Sequence, residues 1–355
     1  MSKDPNNTEE KSQESAETET DIYTAYSEAG TKSENWLKWE ESQTQKYKDY
    51  RELWESFTGK SEKHAHPVHL DIEVSSRCNL RCTFCARTVR VEEGTWREIK
   101  DLDISLFNKI IDNAAALGTK ALNLNILGEP LLHRKIGDMI KYAKSKGIVD
   151  VFFHTNGMLL NKKKSKILIE AGLDKLIISF DSPYKEKFEA VRVGASYEKI
   201  IQNIKDFHKI REEMGSITPV TRINFIKLPG VTDKEVEDMV QLFDPIVDTI
   251  GLLDYVDPRK EIAQTFEDDY VSKFICPQIL TRLSVYENGN VFPCCMDYDD
   301  QLLLGNLGES SIEDIWNGEK LEEIRRLHQA GKFFQIPGCA KCEFAIIGDR
   351  QSREK

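Results

Sequence analysis

The stretch CNLRCTFC, residues 78–85, places three cysteines within eight positions of the chain. The spacing of Cys78, Cys82 and Cys85 makes a loop short enough to wrap one face of a metal cluster. Three thiolates hold three irons of a [4Fe-4S] cluster and leave the fourth iron open to an outside ligand. The alternative is a zinc ion that takes its fourth ligand from a histidine just upstream, namely His64, His66 or His69.

The cysteine loop follows the first of six β-rich runs that alternate with helical patterns. The runs are VHLDIEV from residue 68, ALNLNIL from 121, VDVFFHT from 149, LDKLIISF from 173, VTRINFI from 220 and VDTIGLL from 247. The helical period recurs near residues 103–118, 133–147, 161–172, 197–214 and 232–243. This α/β series predicts a parallel sheet with right-handed crossovers, either doubly wound or an incomplete barrel. Its active site is expected at the carboxyl ends of the strands, where the cysteine loop lies.

Composition narrows the class of protein. The 355 residues carry 49 Lys and Arg against 60 Asp and Glu, a formal charge of -11, which argues against nucleic acid or anionic membrane as a partner. Neither a signal peptide nor an apolar run of membrane-spanning length is visible, so we expect a cytoplasmic protein. In a reducing compartment, eight cysteines indicate metal or redox chemistry rather than disulfides.

The N-terminal part divides into a polar tail and an aromatic segment. Residues 1–30 have the composition of a disordered acidic tail. Residues 31–66 form a predicted helical extension, in which aromatic side chains recur at helical spacing at Tyr47, Tyr50, Trp54 and Phe57. This stripe predicts a helix docked on its own protein, with a surface for a partner or a peptide as the alternative.

After residue 256 the alternation of strands and helices stops. LSVYENGNVFPCC predicts a hairpin in which Asn288 and Gly289 supply the positive φ angles of a tight turn. SSIEDIWNGEKLEEIRRLHQ opens on a capping serine and predicts one helix. Four cysteines from three separate stretches complete this region, and Cys294 with the CAKC pair would also suit a zinc ribbon; the four are Cys276, Cys294, Cys339 and Cys342.

From about residue 68 onward the sequence resembles the radical S-adenosylmethionine (radical SAM) enzymes. The resemblance rests on the C-x-x-x-C-x-aromatic-C loop, on LGEP at 127–130, on HTNG at 154–157 and on SFDS at 179–182. It implies a partial (βα)6 TIM-type barrel, a SAM-binding [4Fe-4S] cluster on Cys78, Cys82 and Cys85, and SAM as cofactor. Leu127 replaces the first glycine of the family's G-G-E-P motif. The residues implied to bind SAM are Phe84, Gly128, Glu129, Pro130, Asn156, Ser179, Asp181 and Arg192.

The C-terminal region is similar to the twitch form of the SPASM domain. That resemblance implies a small α+β domain in which Cys276, Cys294, Cys339 and Cys342 hold an auxiliary [4Fe-4S] cluster, and GNVFPCC, LLGNL and SIEDIWN recur in the family. The expected division is 67–255 for the barrel and 256–355 for the auxiliary domain. Cys295 is left over. It is either a bystander thiol or, as in some radical SAM epimerases, a hydrogen-atom donor.

The family layout implies reductive cleavage of SAM to a 5'-deoxyadenosyl radical that abstracts a substrate hydrogen atom. An auxiliary cluster with four thiolates would then take an electron, as in radical SAM dehydrogenases that oxidise a cyclitol alcohol. We therefore expect an oxidoreductase with a small, carbohydrate-like substrate and a flavodoxin- or ferredoxin-like reductant. The alternatives are a carbohydrate epimerase, a peptide-modifying enzyme, and a zinc or cluster protein without turnover. By strand position, four polar residues point to the barrel mouth or interior: Glu73, Asn125, His154 and Asn224.

Overall fold

Six parallel strands form the centre of the computed structural model, which describes residues 26–57, 62–257 and 269–354. They pair in the order β2, β4, β5, β6, β8 and β9. All six strand predictions are confirmed, and so is the partial (βα)6 barrel. The bounds are β2 His69–Ile72, β4 Ala121–Asn123, β5 Asp150–Thr155, β6 Lys175–Ser179, β8 Val220–Lys227 and β9 Thr249–Asp254.

Other strands extend the sheet at both edges. The strand β1 (Tyr26–Ala29) pairs antiparallel with β9, so the predicted disordered tail is wrong for these four residues, and the rest of that tail lies outside the described residues. At the other edge β10 (Arg282–Val285) pairs parallel with β2 and leads into β11 (Asn290–Phe292) and β12 (Gly305–Asn306). A separate two-stranded ladder joins β3 (Arg81–Cys82) to β7 (Arg192–Val193).

The helices form where the sequence supplies caps and an apolar face. Asp103 accepts hydrogen bonds from the N–H groups of Ser105 and Leu106 at the start of α4, and Gly118 ends that helix at φ 97°. The five predicted helices correspond to α4, α5, α6, α8 and α9. The bounds are α1 Glu34–Glu41, α2 Gln45–Glu55, α3 Ala86–Glu92, α4 Ile104–Leu117, α5 Ile136–Ser145, α6 Lys162–Ala171, α7 Lys185–Val191, α8 Tyr197–Glu213, α9 Asp233–Phe243, α10 Gln278–Thr281, α11 Ile312–Trp316, α12 Glu319–Gln329, α13 Pro337–Ala340 and α14 Glu343–Glu354.

Alternation along the strands separates an outer from an inner face. Leu70, Ile72 and Val74 are fully buried in the apolar core between the sheet and its helices. Asp71, between Leu70 and Ile72, instead accepts from side chains of the neighbouring strands β4 and β10 and bonds to His69 of its own strand. The barrel therefore has an apolar shell and a polar interior.

The aromatic N-terminal segment closes the amino-terminal end of the barrel. Trp36, Trp39, Tyr47 and Tyr50 are buried in one cluster with residues that lie at or just before the starts of strands. Trp54 packs against His69, with ring centroids 5.5 Å apart. The extension consists of two helices, and its aromatic stripe is docked on its own protein, as the sequence favours.

Two predictions for the C-terminal region need correction. In the hairpin loop only Gly289 has a positive φ, 85°, and its N–H closes the turn on the carbonyl of Tyr286. Asn288 instead uses its side-chain oxygen to accept the N–H of Asn290. The single predicted helix is two helices, α11 and α12. The helical conformation is interrupted at Gly318, whose backbone is extended at φ -69° and ψ 150°. The predicted capping serine is Ser311.

The barrel and the C-terminal region share one apolar core. Leu283, Val291 and Trp316 of the C-terminal region belong to the same buried cluster as the barrel strands and helices. Within the described part of the chain, no helix is both long enough and apolar enough to cross a membrane.

Candidate functional site

The three cysteines of the first loop are held at the carboxyl end of β2. Cys82 lies in β3 and Cys85 is the residue that precedes α3, whose first turn begins at Ala86. Burial raises the pKa of Cys78 to about 12 and that of Cys82 to about 11, and neighbouring thiols of the loop add to both shifts. Three thiols gathered in one place fit a metal cluster, because bound iron supplies the positive charge that thiolates need.

A buried ion pair stands beside these thiols. The Arg192 Nε donates to Asp181 Oδ2 at 2.5 Å, and Nη1 of the same guanidinium lies 3.9 Å from the Cys82 Sγ. The guanidinium also lies over the Phe84 ring, 5.5 Å from its centroid. The structure thus brings together four positions that the resemblance singled out, although they come from three separate stretches of sequence.

The loop 127–130 leaves no space for a larger residue at Gly128. A Cβ atom there would lie 1.8 Å from the carbonyl oxygen of Ser75. The next residue, Glu129, is buried, and its carboxylate accepts from the hydroxyl of Thr155 at 2.7 Å and from the N–H of Asn156 at 2.9 Å. Pro130 begins a short 3-10 turn. Glu129 therefore ties this loop to the end of β5.

Asn156 connects the end of β5 to the cysteine loop. Its Nδ2 donates to Asn79 Oδ1 at 3.0 Å and lies 3.9 Å from the Cys78 Sγ. Ser179 is the last residue of β6 and is in register with Asn224 of β8. All eight predicted SAM-binding residues thus lie at or beyond the carboxyl ends of strands, on the side of the cysteine loop.

The histidines offered as zinc ligands lie at the opposite end of the barrel. His69 is the first residue of β2. His64 and His66 form their hydrogen bonds near the amino ends of the strands. Among the described residues, no three or more His, Cys, Asp or Glu side chains are gathered tightly enough to hold one metal ion. The position of these histidines at the far end of the barrel disfavours a histidine as the fourth ligand of the first cysteine loop.

The four cysteines of the C-terminal set line one small cavity. Burial raises the pKa of Cys276 to about 12 and raises the pKa of the other three thiols, and the set is close enough for mutual effects on ionisation. The rest of the lining is largely apolar and includes Ile279, Leu302 and Phe344. Four thiols around an apolar cavity fit a cluster saturated by protein ligands.

Cys295 directly follows Cys294 of that set. It does not line the cavity, and the charged groups that most affect its ionisation are Asp71 and Arg282, which lie in the barrel wall. Burial raises its pKa to about 12. Cys295 is therefore a neutral thiol near Asp71 and Arg282, outside the lining of the auxiliary cavity.

A polar network in the barrel interior was not predicted from the sequence. Asp71 accepts from Asn123 at 2.9 Å, from His69 Nε2 at 3.1 Å and from Arg282 at 3.4 Å. Alternation within β2 could have indicated Asp71. No local pattern indicates Arg282, because β10 joins the barrel from a stretch more than 200 residues away in sequence.

The four interior candidates have different environments. The Glu73 carboxylate accepts from the N–H groups of Leu127 at 2.7 Å and Gly128 at 2.9 Å, so it supports the loop 127–130. Asn125 Oδ1 accepts the N–H of His154 at 2.7 Å. Burial lowers the pKa of His154 to about 4, which makes it a neutral imidazole near pH 7. The Asn224 Oδ1 is buried without a hydrogen-bond partner among the described residues.

Comparison with known proteins agrees with this geometry. Residues 72–243 match the radical SAM superfamily, and residues 276–343 match the SPASM iron-sulfur cluster-binding domain. The chain therefore contains a radical SAM domain followed by a SPASM domain. Its predicted cofactors, a SAM-binding [4Fe-4S] cluster, an auxiliary [4Fe-4S] cluster and SAM, are confirmed at the level of these two domains.

Two relatives of this radical SAM protein match over most of their own length. One is the tungsten-containing aldehyde ferredoxin oxidoreductase cofactor-modifying protein of Pyrococcus furiosus, 28% identical over 77% of this chain and 86% of that protein. The other is the S-adenosyl-L-methionine-dependent 2-deoxy-scyllo-inosamine dehydrogenase of Niallia circulans, 24% identical over 77% of this chain and 91% of that protein. The crystal structure of BtrN in complex with AdoMet and 2-DOIA is similar in fold, with TM-score 0.53, 20% identity and coverage of 79% of this chain and 94% of that one.

Proposed function

We propose that this radical SAM enzyme is an oxidoreductase that converts an alcohol carbon of a carbohydrate or cyclitol into a ketone. The observation that carries the proposal is the cavity lined by Cys276, Cys294, Cys339 and Cys342. Four thiolates leave no iron open to a substrate, so the auxiliary cluster suits electron transfer. The similarity to a cyclitol dehydrogenase over 91% of that protein supports the same reaction class.

The residues present fit both clusters and SAM. Cys78, Cys82 and Cys85 would hold the first cluster, and the SAM-binding set would be Phe84, Gly128, Glu129, Pro130, Asn156, Ser179, Asp181 and Arg192. When bound, these groups supply one-electron cleavage of SAM, abstraction of a substrate hydrogen atom and an acceptor for the remaining electron. The guanidinium of Arg192 suits the SAM carboxylate, and it is already oriented by Asp181.

The chain's own task is to bind the substrate and exclude water. Several buried polar atoms of the barrel strands and of β10 have no hydrogen-bond partner among the described residues; they are Asn123 Oδ1, Asn224 Oδ1, Arg282 Nε and Ser284 Oγ. Buried polar groups are normally paired, so unpaired ones favour a ligand rich in hydroxyl groups. In the same network Asp71 and Arg282 offset each other in charge, and His69 is neutral because burial lowers its pKa.

Two alternatives differ in what supports them. A peptide substrate recognised by the N-terminal aromatic stripe is disfavoured, because Trp39, Tyr47 and Tyr50 are buried against the barrel. A carbohydrate epimerase is the second candidate, and the position of Cys295 supports it. An epimerase needs a hydrogen-atom donor, and this thiol lies near Asp71 and Arg282 of the barrel wall and does not line the auxiliary cavity.

The test starts with anaerobically reconstituted protein, which should be brown and contain about eight irons per chain. Cys82→Ala should abolish formation of 5'-deoxyadenosine from SAM and a reductant. Cys339→Ala should retain that cleavage and lose ketone formation from a carbohydrate or cyclitol substrate. A colourless zinc protein, or full ketone formation by Cys339→Ala, would contradict the proposal.

Product analysis in deuterated water separates the dehydrogenase from the epimerase. A dehydrogenase yields a carbonyl compound, and Cys295→Ala should not change the product. An epimerase incorporates one solvent deuterium at the inverted carbon, and Cys295→Ala should stop that incorporation. Ketone formation that survives Cys295→Ala supports the dehydrogenase.

A further inference from the structure

Arg97 is held between the barrel and the auxiliary domain. It lies in the segment that connects α3 to α4, and its guanidinium packs against two aromatic rings from different domains. The distance from its Cζ to the ring centroid is 4.2 Å for Trp96 and 3.9 Å for Tyr286. Tyr286 follows β10 directly, in the hairpin that leads to Cys294. Contact with two rings restricts the orientation of the guanidinium.

The same guanidinium forms ion pairs with one carboxylate on each side. Arg97 Nε lies 3.2 and 3.1 Å from the two carboxylate oxygens of Glu287 in the hairpin, and Nη2 lies 3.4 Å from Glu73 Oε2 at the end of β2. The side chains of Glu73 and Glu287 are 0% and 1% exposed, and that of Arg97 is 11% exposed. Two buried carboxylates therefore share one cation, which makes the charge of Arg97 costly to remove.

Glu73 connects Arg97 to the loop 127–130 of the candidate SAM site. Its carboxylate accepts the N–H groups of Leu127 and Gly128, which begin the loop that ends in Glu129 and Pro130. These contacts form a continuous chain of hydrogen bonds and ion pairs from that loop, through Glu73, Arg97 and Glu287, to the auxiliary hairpin. Residues 73, 97 and 287 are distant in sequence, so this series of contacts exists only in the folded protein.

We propose that Arg97 is a positioning residue that couples the SAM-binding loop to the auxiliary-cluster domain. It fixes the carboxylate of Glu73 beneath the loop and, through Glu287, makes that position depend on the hairpin of the other domain. The inference rests on the proposed assignment of Gly128, Glu129 and Pro130 to SAM, but not on the identity of the substrate.

The decisive variant is Glu287→Gln, because residue 287 lies in the auxiliary domain and the change keeps the shape of the side chain. We expect the dissociation constant for SAM, measured on reconstituted protein by equilibrium titration, to rise about tenfold. Arg97→Lys keeps the charge but loses the planar fork and the stacking, and should raise it by a similar factor. Arg326→Gln, which removes a surface ion pair with Glu323, is the control and should leave it unchanged.

A double-mutant cycle separates coupling from general damage. If residues 97 and 287 act as one unit, the effects of Arg97→Lys and Glu287→Gln on SAM affinity should be clearly less than additive. A dissociation constant within twofold of wild type for Glu287→Gln, in protein that holds eight irons, would overturn the inference. Additive effects would also overturn it. The titration does not require turnover. Failure to form a ketone would therefore refute the proposed reaction without affecting the measured dissociation constants for SAM.

Discussion

Replacing Gly128 by alanine tests whether the loop 127–130 is placed as tightly as the structure indicates. The added Cβ would lie 1.8 Å from the carbonyl oxygen of Ser75, whereas real Cβ contacts shorter than 3.0 Å are essentially absent. The obstacle is backbone, so the loop itself must move by roughly 1 Å or more. That movement stretches the hydrogen bond from Gly128 N–H to Glu73 and the one from Glu129 N–H to the Arg77 carbonyl, now 2.9 and 2.7 Å.

The expected cost follows from these contacts. Overpacking costs about 1–3 kcal/mol, and each weakened hydrogen bond adds about 1 kcal/mol. We therefore expect Gly128→Ala to lower the free energy of unfolding by about 3–5 kcal/mol and to weaken SAM binding at least tenfold. Urea unfolding followed by circular dichroism and equilibrium titration with SAM measure the two effects.

The control is the same substitution in a place with open space. Gly215 has φ 62° and no atom within 4 Å of a built Cβ, so Gly215→Ala should cost about 1 kcal/mol from backbone strain alone. SAM affinity should be unchanged in this control. If Gly128→Ala behaved like Gly215→Ala in both assays, the close packing of the loop on Ser75 would be wrong.

Three further perturbations test separate parts of the fold. Trp39→Ala should lower the free energy of unfolding, measured in urea, by about 3–5 kcal/mol. Leu37 lies on the same helix and is 47% exposed, so Leu37→Ala should change that free energy by no more than about 0.5 kcal/mol. Equal effects would contradict docking of the N-terminal helices. Arg192→Gln should lower the free energy of unfolding by about 3–5 kcal/mol, because Asp181 then stays buried without its cation. An unchanged free energy of unfolding would contradict the buried ion pair. Burial lowers the pKa of His208 from 6.5 to about 4. The contribution of the neutral imidazole is present above pH 6.5, so the free energy of unfolding should fall by about 2–3 kcal/mol as the pH drops to 4. If His208→Gln left the pH dependence of the free energy of unfolding unchanged, this assignment would be wrong.

The barrel was predictable because each strand carries its own signal. VDVFFHT and LDKLIISF are short, β-rich and bounded by polar turns, and the intervening helices show the helical period. The first cysteine loop and the loop 127–130 follow strands directly, so parallel pairing brings them to one edge. Strand order was therefore enough to gather the candidate SAM-binding residues.

Features that depend on distant pairing were not predictable in this way. Nothing near Arg282 indicates that β10 pairs with β2 in parallel register, and this pairing is what brings Arg282 to Asp71. The triad of Glu73, Arg97 and Glu287 joins residues 24 and 190 positions apart. The break at Gly318 was missed because the apolar period continues on both sides of it.

The pairing of β10 with β2 has a mechanical consequence. One uninterrupted ten-stranded sheet runs from β1 at one edge to β12 at the other, so the hairpin carrying the second thiol set is an extension of the wall that carries the first. A hinge between the two halves would have to rupture a four-residue ladder. Backbone hydrogen bonds of one sheet thus set the separation between the two sets of cysteines, and clusters held by them would lie at a fixed distance from each other.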